Sequence, residues 1–231
     1  MTAPARRKSD LGVRVASAVV MVAVAGTALW LGGWLFAIFV TIVAIGVFWE
    51  WWHLILCFDI GPLGRGLWIA GGLGYVFLAG VTLIALRRES LSEPILVLML
   101  VIAVDVGAYF AGRTIGGPKI APRISPSKTW AGLGGGILAA ALANVAWSLR
   151  LDATYPDAAL ADVAFPSLIV GLFVAVIAQL GDFFESWMKR RAGVKDSGRL
   201  LPGHGGLFDR VDGLLAVLFV ISIPLMADTL R

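Results

Sequence analysis

Between Arg14 and Glu50 the chain runs for 35 residues without a charge. A helix needs roughly 20 apolar residues to cross the hydrocarbon core of a bilayer, so this run predicts two spans, broken at Gly32-Gly33. Charge-poor stretches recur at 66–86, 94–112 (interrupted only by Asp105), 129–149, 163–181 and 213–227. The expectation is an all-α, polytopic integral membrane bundle of about seven transmembrane helices. The runs are continuous rather than alternating, which disfavours a β-barrel. The first run lacks a convincing small-residue cleavage site and leads straight into a second span, so it does not read as a cleaved signal peptide.

Composition agrees with this class. Apolar residues make up 59% and charged residues 15%, against about 45–50% and 25% in soluble domains. A disordered chain would lack the apolar surface to bury. Cys57 is the only cysteine, which excludes a disulfide framework within the chain and zinc held by cysteine clusters. The net charge of +4 does not point to nucleic acid, because the basic residues sit in short segments between apolar spans.

Lys and Arg are held on the cytoplasmic side during insertion. With the N-terminus inside, fifteen of the nineteen fall in inner segments, and only Arg87, Arg88, Arg150 and Arg231 fall outside. The N-terminus is therefore expected in the cytoplasm. Two long polar loops, 113–128 and 187–212, then share the cytoplasmic face and can build one site. The chain divides into an N-terminal region of three helices, 1–93, and a catalytic region, 94–231, that holds both loops.

Asp105 lies inside the fourth span, where a carboxylate costs about 2.5–3.5 kcal/mol on insertion scales. It should face a partner or a polar cavity, with Tyr109 on the same helical face. The segment from Arg113 to Trp130, RTIGGPKIAPRISPSKTW, has three prolines and two glycines and cannot be a regular helix. Its end, Ser125 to Thr129, is expected to open the fifth helix, where free backbone amides, Lys128 and two hydroxyls suit a phosphate.

Residues 181–212 read GDFFESWMKRRAGVKDSGRLLPGHGGLFDRVD. Five carboxylates and six cations in 32 residues need a shared reason in so charge-poor a chain. Oxygen ligands that hold Mg²⁺, beside Lys and Arg that hold phosphate oxygens, provide one. Asp182 ends the sixth span. If the helix continues, Ser186 and Lys189 share its face. His204, among glycines, could contact a phosphate or serve a loop. Glu50 and His53 are expected at the membrane interface.

These residues resemble a known family. The stretch from Ser186 to Asp212 looks like the signature of the phosphatidate cytidylyltransferases, or CDP-diacylglycerol synthases. The GDFFES run before it, Asp105 to Arg113, and SPSKTW at 125–130 are similar as well. The resemblance implies a membrane enzyme, dimeric in that family's manner, that joins CTP to phosphatidate and releases pyrophosphate in phospholipid biosynthesis. It implies Mg²⁺ with a monovalent cation such as K⁺ beside it, and a bacterial inner membrane location.

By motif position the metal ligands would be Asp182 and Asp209, with Asp212 and Asp196 close by. Lys189, Lys128, Arg190 and Lys195 are candidate phosphate clamps, and Ser125 and Thr129 hydroxyl donors. Ser186, His204 and Asp105 would lie at the substrate. Family members often carry Glu two residues after the Thr of the SPxKT block, where this chain has Ala131. A related lipid enzyme, such as a polyprenol kinase, would use similar metal chemistry. A CDP-alcohol phosphotransferase lacks support because its further spaced aspartates are missing. A cation transporter would not explain the PGHGG turn.

Overall fold

A computed structural model describes residues 11–150, 160–201 and 205–229; His204, the N-terminal basic cluster and most of the acidic 150–162 loop lie outside them. Among the described residues there are seven helices: α1 Leu11–Leu31, α2 Gly33–Leu56, α3 Pro62–Glu89, α4 Ser92–Thr114, α5 Trp130–Arg150, α6 Leu160–Arg191 and α7 Phe208–Thr229. The helices from α2 to α7 are long and apolar enough to cross a membrane, and α1 contributes a shorter apolar stretch, Val15–Leu31. The polytopic helical bundle expected from the charge-free runs is therefore present.

The break between the first two helices falls at Gly32, whose φ of +65° suits a residue without a Cβ. The last carbonyls of α1 are satisfied from a distance: Arg87 donates from Nε to Leu29 O at 2.7 Å and from Nη2 to Trp30 O at 3.0 Å. A cation at a helix C-terminus also complements the helix dipole.

Two apolar clusters hold the bundle. One joins Trp51 and Ile55 of α2, and Phe58 just after it, to Val76 of α3, Met188 of α6 and Phe208 and Leu218 of α7. The other joins Leu100 and Val104 of α4 to Ala140 of α5, Ala178 of α6 and Val217 of α7. Where helices in a membrane approach closely, small residues stand at the crossing. A Cβ on Gly107 of α4 would come within 2.4 Å of the Gly135 carbonyl of α5. Outside, Val22, Trp30, Trp34, Ile42 and Phe173 are exposed, as a lipid-facing surface requires.

The structure corrects two local expectations. Residues 125–129 do not open the fifth helix; they form a strand, β2 Ser125–Thr129, paired antiparallel with β1 Lys119–Ala121. Helix α5 starts only at Trp130, with the Thr129 hydroxyl accepting a hydrogen bond from Gly132 N at 3.0 Å as its N-cap. Helix α7 begins five residues earlier than the 213 expected, so Asp209 and Asp212 lie within it. Helix α6 does continue past Asp182, as far as Arg191.

Candidate active site

Helices α6 and α7 cross where each has a glycine. A Cβ on Gly181 would meet the Asp212 carbonyl oxygen at 2.6 Å, and one on Gly213 would meet Asp182 Oδ1 at 3.2 Å. The close crossing sets Asp182 and Asp212 together. Asp105 of α4 and Asp212 are both within electrostatic reach of Asp182 and Lys128. Lys128, near the end of β2, pairs directly with Asp182. The hairpin between α4 and α5 thus meets α6 nine residues before that helix ends at Arg191 and the second polar loop begins.

Three carboxylates from three spanning helices lie within electrostatic reach of Lys128 there, and Lys189 also acts on Asp212. That excess of negative charge, made only of oxygen donors, fits a hard divalent cation. Among the described residues no group of three or more His, Cys, Asp or Glu side chains is gathered so as to hold a metal ion by itself. Mg²⁺ is commonly held by one or two carboxylates, with waters and substrate phosphates completing the shell, so the residues fit a metal that arrives with a nucleotide.

Asp209 has a different setting. Lys189 Nζ lies 2.6 Å from its Oδ1 and 2.7 Å from Glu185 Oε2. Its Oδ2 accepts hydrogen bonds from Ser197 N at 3.0 Å and Gly206 N at 3.1 Å. Glu185 is 1% exposed, and its Oε1 has no hydrogen-bond partner among the described residues. Asp209 and Lys189 are engaged in holding the second loop against α6. The four aspartates read from the motif therefore separate. Asp182 and Asp212 meet, Asp209 pins the loop, and exposed Asp196 lines a pocket of about 380 Å³ with Lys195 and Arg199.

The other candidates spread around this centre. Ser186 is half-buried one turn beyond Asp182, and Arg190 is exposed beside Lys189. Ser125 is half-buried at the start of β2, three residues or roughly 10 Å of strand from Lys128. Thr129 is buried and its oxygen is used by the cap. Tyr109 does not pair with Asp105; its hydroxyl accepts from Arg113 at 3.2 Å. Ala131 follows the cap in the first turn of α5.

The residue that sequence reasoning misplaced is Glu50. It is 2% exposed, buried inside the protein. Its Oε2 accepts from Ser197 Oγ and Phe208 N, both at 2.8 Å, and its Oε1 from Leu207 N at 3.0 Å. Helix α2 thereby supplies a carboxylate to the N-terminus of α7 and to the loop before it. The signal was available: a carboxylate one residue beyond a 35-residue charge-free run needs a buried partner, as Asp105 does. His53 is exposed, its Nδ1 2.7 Å from Trp49 O.

A helical membrane protein with an acidic, lysine-paired site at one end of its bundle is the class that fold and site define. The chain belongs to the cytidylyltransferase family, whose model matches residues 65–227. Relatives named phosphatidate cytidylyltransferase include one from Brucella suis biovar 1 (strain 1330), 35% identical over 90% of this chain and 90% of its own length. One from Rickettsia bellii (strain RML369-C) is 34% identical over 94% and 93%. One from Pseudomonas aeruginosa is 37% identical over 77% of this chain and 66% of its own.

Proposed function

We propose that this protein transfers CMP from CTP to phosphatidate, giving CDP-diacylglycerol and pyrophosphate, at the cytoplasmic face of a bacterial inner membrane. The observation that carries this reading is the pairing of Lys128 with Asp182, with Asp105 and Asp212 within electrostatic reach of both. The names of the relatives supply the substrates.

A phosphatidate phosphate oxygen would attack the α-phosphorus of CTP, in line with the departing pyrophosphate. No protein nucleophile is needed, because the lipid presents an ionised oxygen. Asp182 and Asp212 would hold Mg²⁺, with Asp105 adding negative charge beside them; K⁺ is the proposed second cation. Such a metal neutralises charge on the transferring and leaving phosphoryl oxygens. Lys128 would exchange its Asp182 partner for a phosphate oxygen as the nucleotide enters. Arg190 and Lys195 are placed to draw the triphosphate from the rim, while Lys189 and Asp209 keep the loop in register. Ser125, Ser186 and His204 remain candidates for substrate hydroxyl and headgroup contacts, and a homodimer is the proposed assembly.

Purified protein given CTP, Mg²⁺ and phosphatidate should release pyrophosphate and form CDP-lipid. Removing any one of the three, or chelating the metal, should stop both. Pyrophosphate release without lipid, or transfer to a polyprenol instead, would overturn the assignment.

A further inference from the structure

A cavity of about 530 Å³ opens between α2, α3, α6 and α7, within the size range of small-molecule sites, roughly 300–1,000 Å³. Trp68, Tyr75, Phe184 and Phe219 are among its walls, and Leu67 and Leu180, both exposed, form part of its outward edge. Its lining is overwhelmingly apolar, yet it touches the acidic site. Gly181, beside Asp182, is part of the wall. Asp212 stands one helical turn before Ala216, another wall residue, and Tyr75 is within electrostatic reach of Asp212. A molecule filling this space would have its apolar part among aromatic rings and its polar end at the carboxylates. That amphipathic division is the chemistry of a phosphate lipid.

We propose that the cavity takes one fatty acyl chain of the lipid substrate, and that Gly71 sets the room for it; this rests on the reading of the acidic site as a cytidylyltransferase site. Gly71 lines the cavity, and a Cβ there would meet nothing within 4 Å. Its neighbour differs: a Cβ on Gly72 would strike the Trp51 indole at 2.2 Å. A side chain at 71 therefore starts in open space at its Cβ, so a leucine there takes up cavity space, and it favours the helix over glycine. Gly74 also has nothing within 4 Å of a Cβ and does not line the cavity.

The test compares unmodified enzyme, Gly71→Leu and Gly74→Leu on dihexanoyl and dioleoyl phosphatidate in detergent, with KM for CTP measured in parallel. Each methylene kept out of the cavity costs about fourfold. Gly71→Leu should thus lower kcat/KM for the long-chain lipid by at least about tenfold. The short-chain lipid, KM for CTP and the Gly74→Leu profile should stay near the unmodified values. An unchanged chain-length profile in Gly71→Leu would overturn the cavity assignment alone. So would equal loss on both lipids, or a changed oligomeric state without a changed profile, which would make the cavity a contact between copies. No turnover of either phosphatidate by the unmodified enzyme would overturn the parent reading, and the cavity assignment with it.

Discussion

Asp182→Asn is expected to lower CDP-lipid formation by at least about a hundredfold, the scale on which loss of one electrostatic contact to a reacting centre is felt, while the protein stays folded. Asp182 shares its surroundings with Asp105 and Asp212 around the ammonium of Lys128, and Lys189 also acts on Asp212. Removing one negative charge from three relieves repulsion, and Lys128 keeps two carboxylates within reach. Thermal stability should hold or rise as turnover collapses. A purely structural ion pair would give the opposite pattern, with stability lost and turnover per folded molecule kept. Turnover within a few-fold of the unmodified enzyme would contradict the assignment of Asp182. Asp209→Asn should behave differently, losing stability and activity together, because Asp209 joins Lys189 to two loop amides.

Glu50→Ala is expected to destabilise the protein by about 2 kcal/mol or more, since two buried donors and one half-buried donor lose their acceptor and each unsatisfied buried group costs about 1–3 kcal/mol. The donors are Ser197 Oγ, Leu207 N and Phe208 N, all bordering the segment that carries Asp209. Activity should fall with stability, although Glu50 is remote in sequence from both polar loops and precedes the matched family region. Glu50→Gln keeps the shape and one acceptor oxygen, so its loss should be intermediate. Melting of purified protein in detergent, measured beside turnover, checks both variants. An alanine variant as stable as the unmodified protein would show that the buried carboxylate does not hold the loop.

What could be read from the sequence follows the range of the forces involved. The spans were legible because bilayer thickness imposes a length on every apolar run, and Gly32 marked the first break. The start of α7 was hidden by Asp209 and Asp212, which look like loop residues; Asp209 in fact suits the first turn of the helix, where the dipole favours acids. The β1–β2 hairpin was hidden by its brevity, and by Pro126 inside β2, which is tolerated at a sheet edge. Within the site, helical spacing placed Ser186 and Lys189 on the Asp182 face, but spacing cannot show that Lys189 is already engaged by Glu185 and Asp209. The bonds of Glu50 span 147 to 158 residues of chain, a distance over which no periodicity carries information.

The account depends on residues 113–128 and 187–212 lying on one side of the membrane. With Cys57 replaced by Ser, single cysteines at the exposed positions Arg123 and Val194 can be labelled in sealed inner-membrane vesicles of known orientation, using a thiol reagent that does not cross the bilayer. The account predicts that both react from the cytoplasmic side and neither from the other. Labelling of the two from opposite sides would contradict it, because Lys128 could not then reach Asp182.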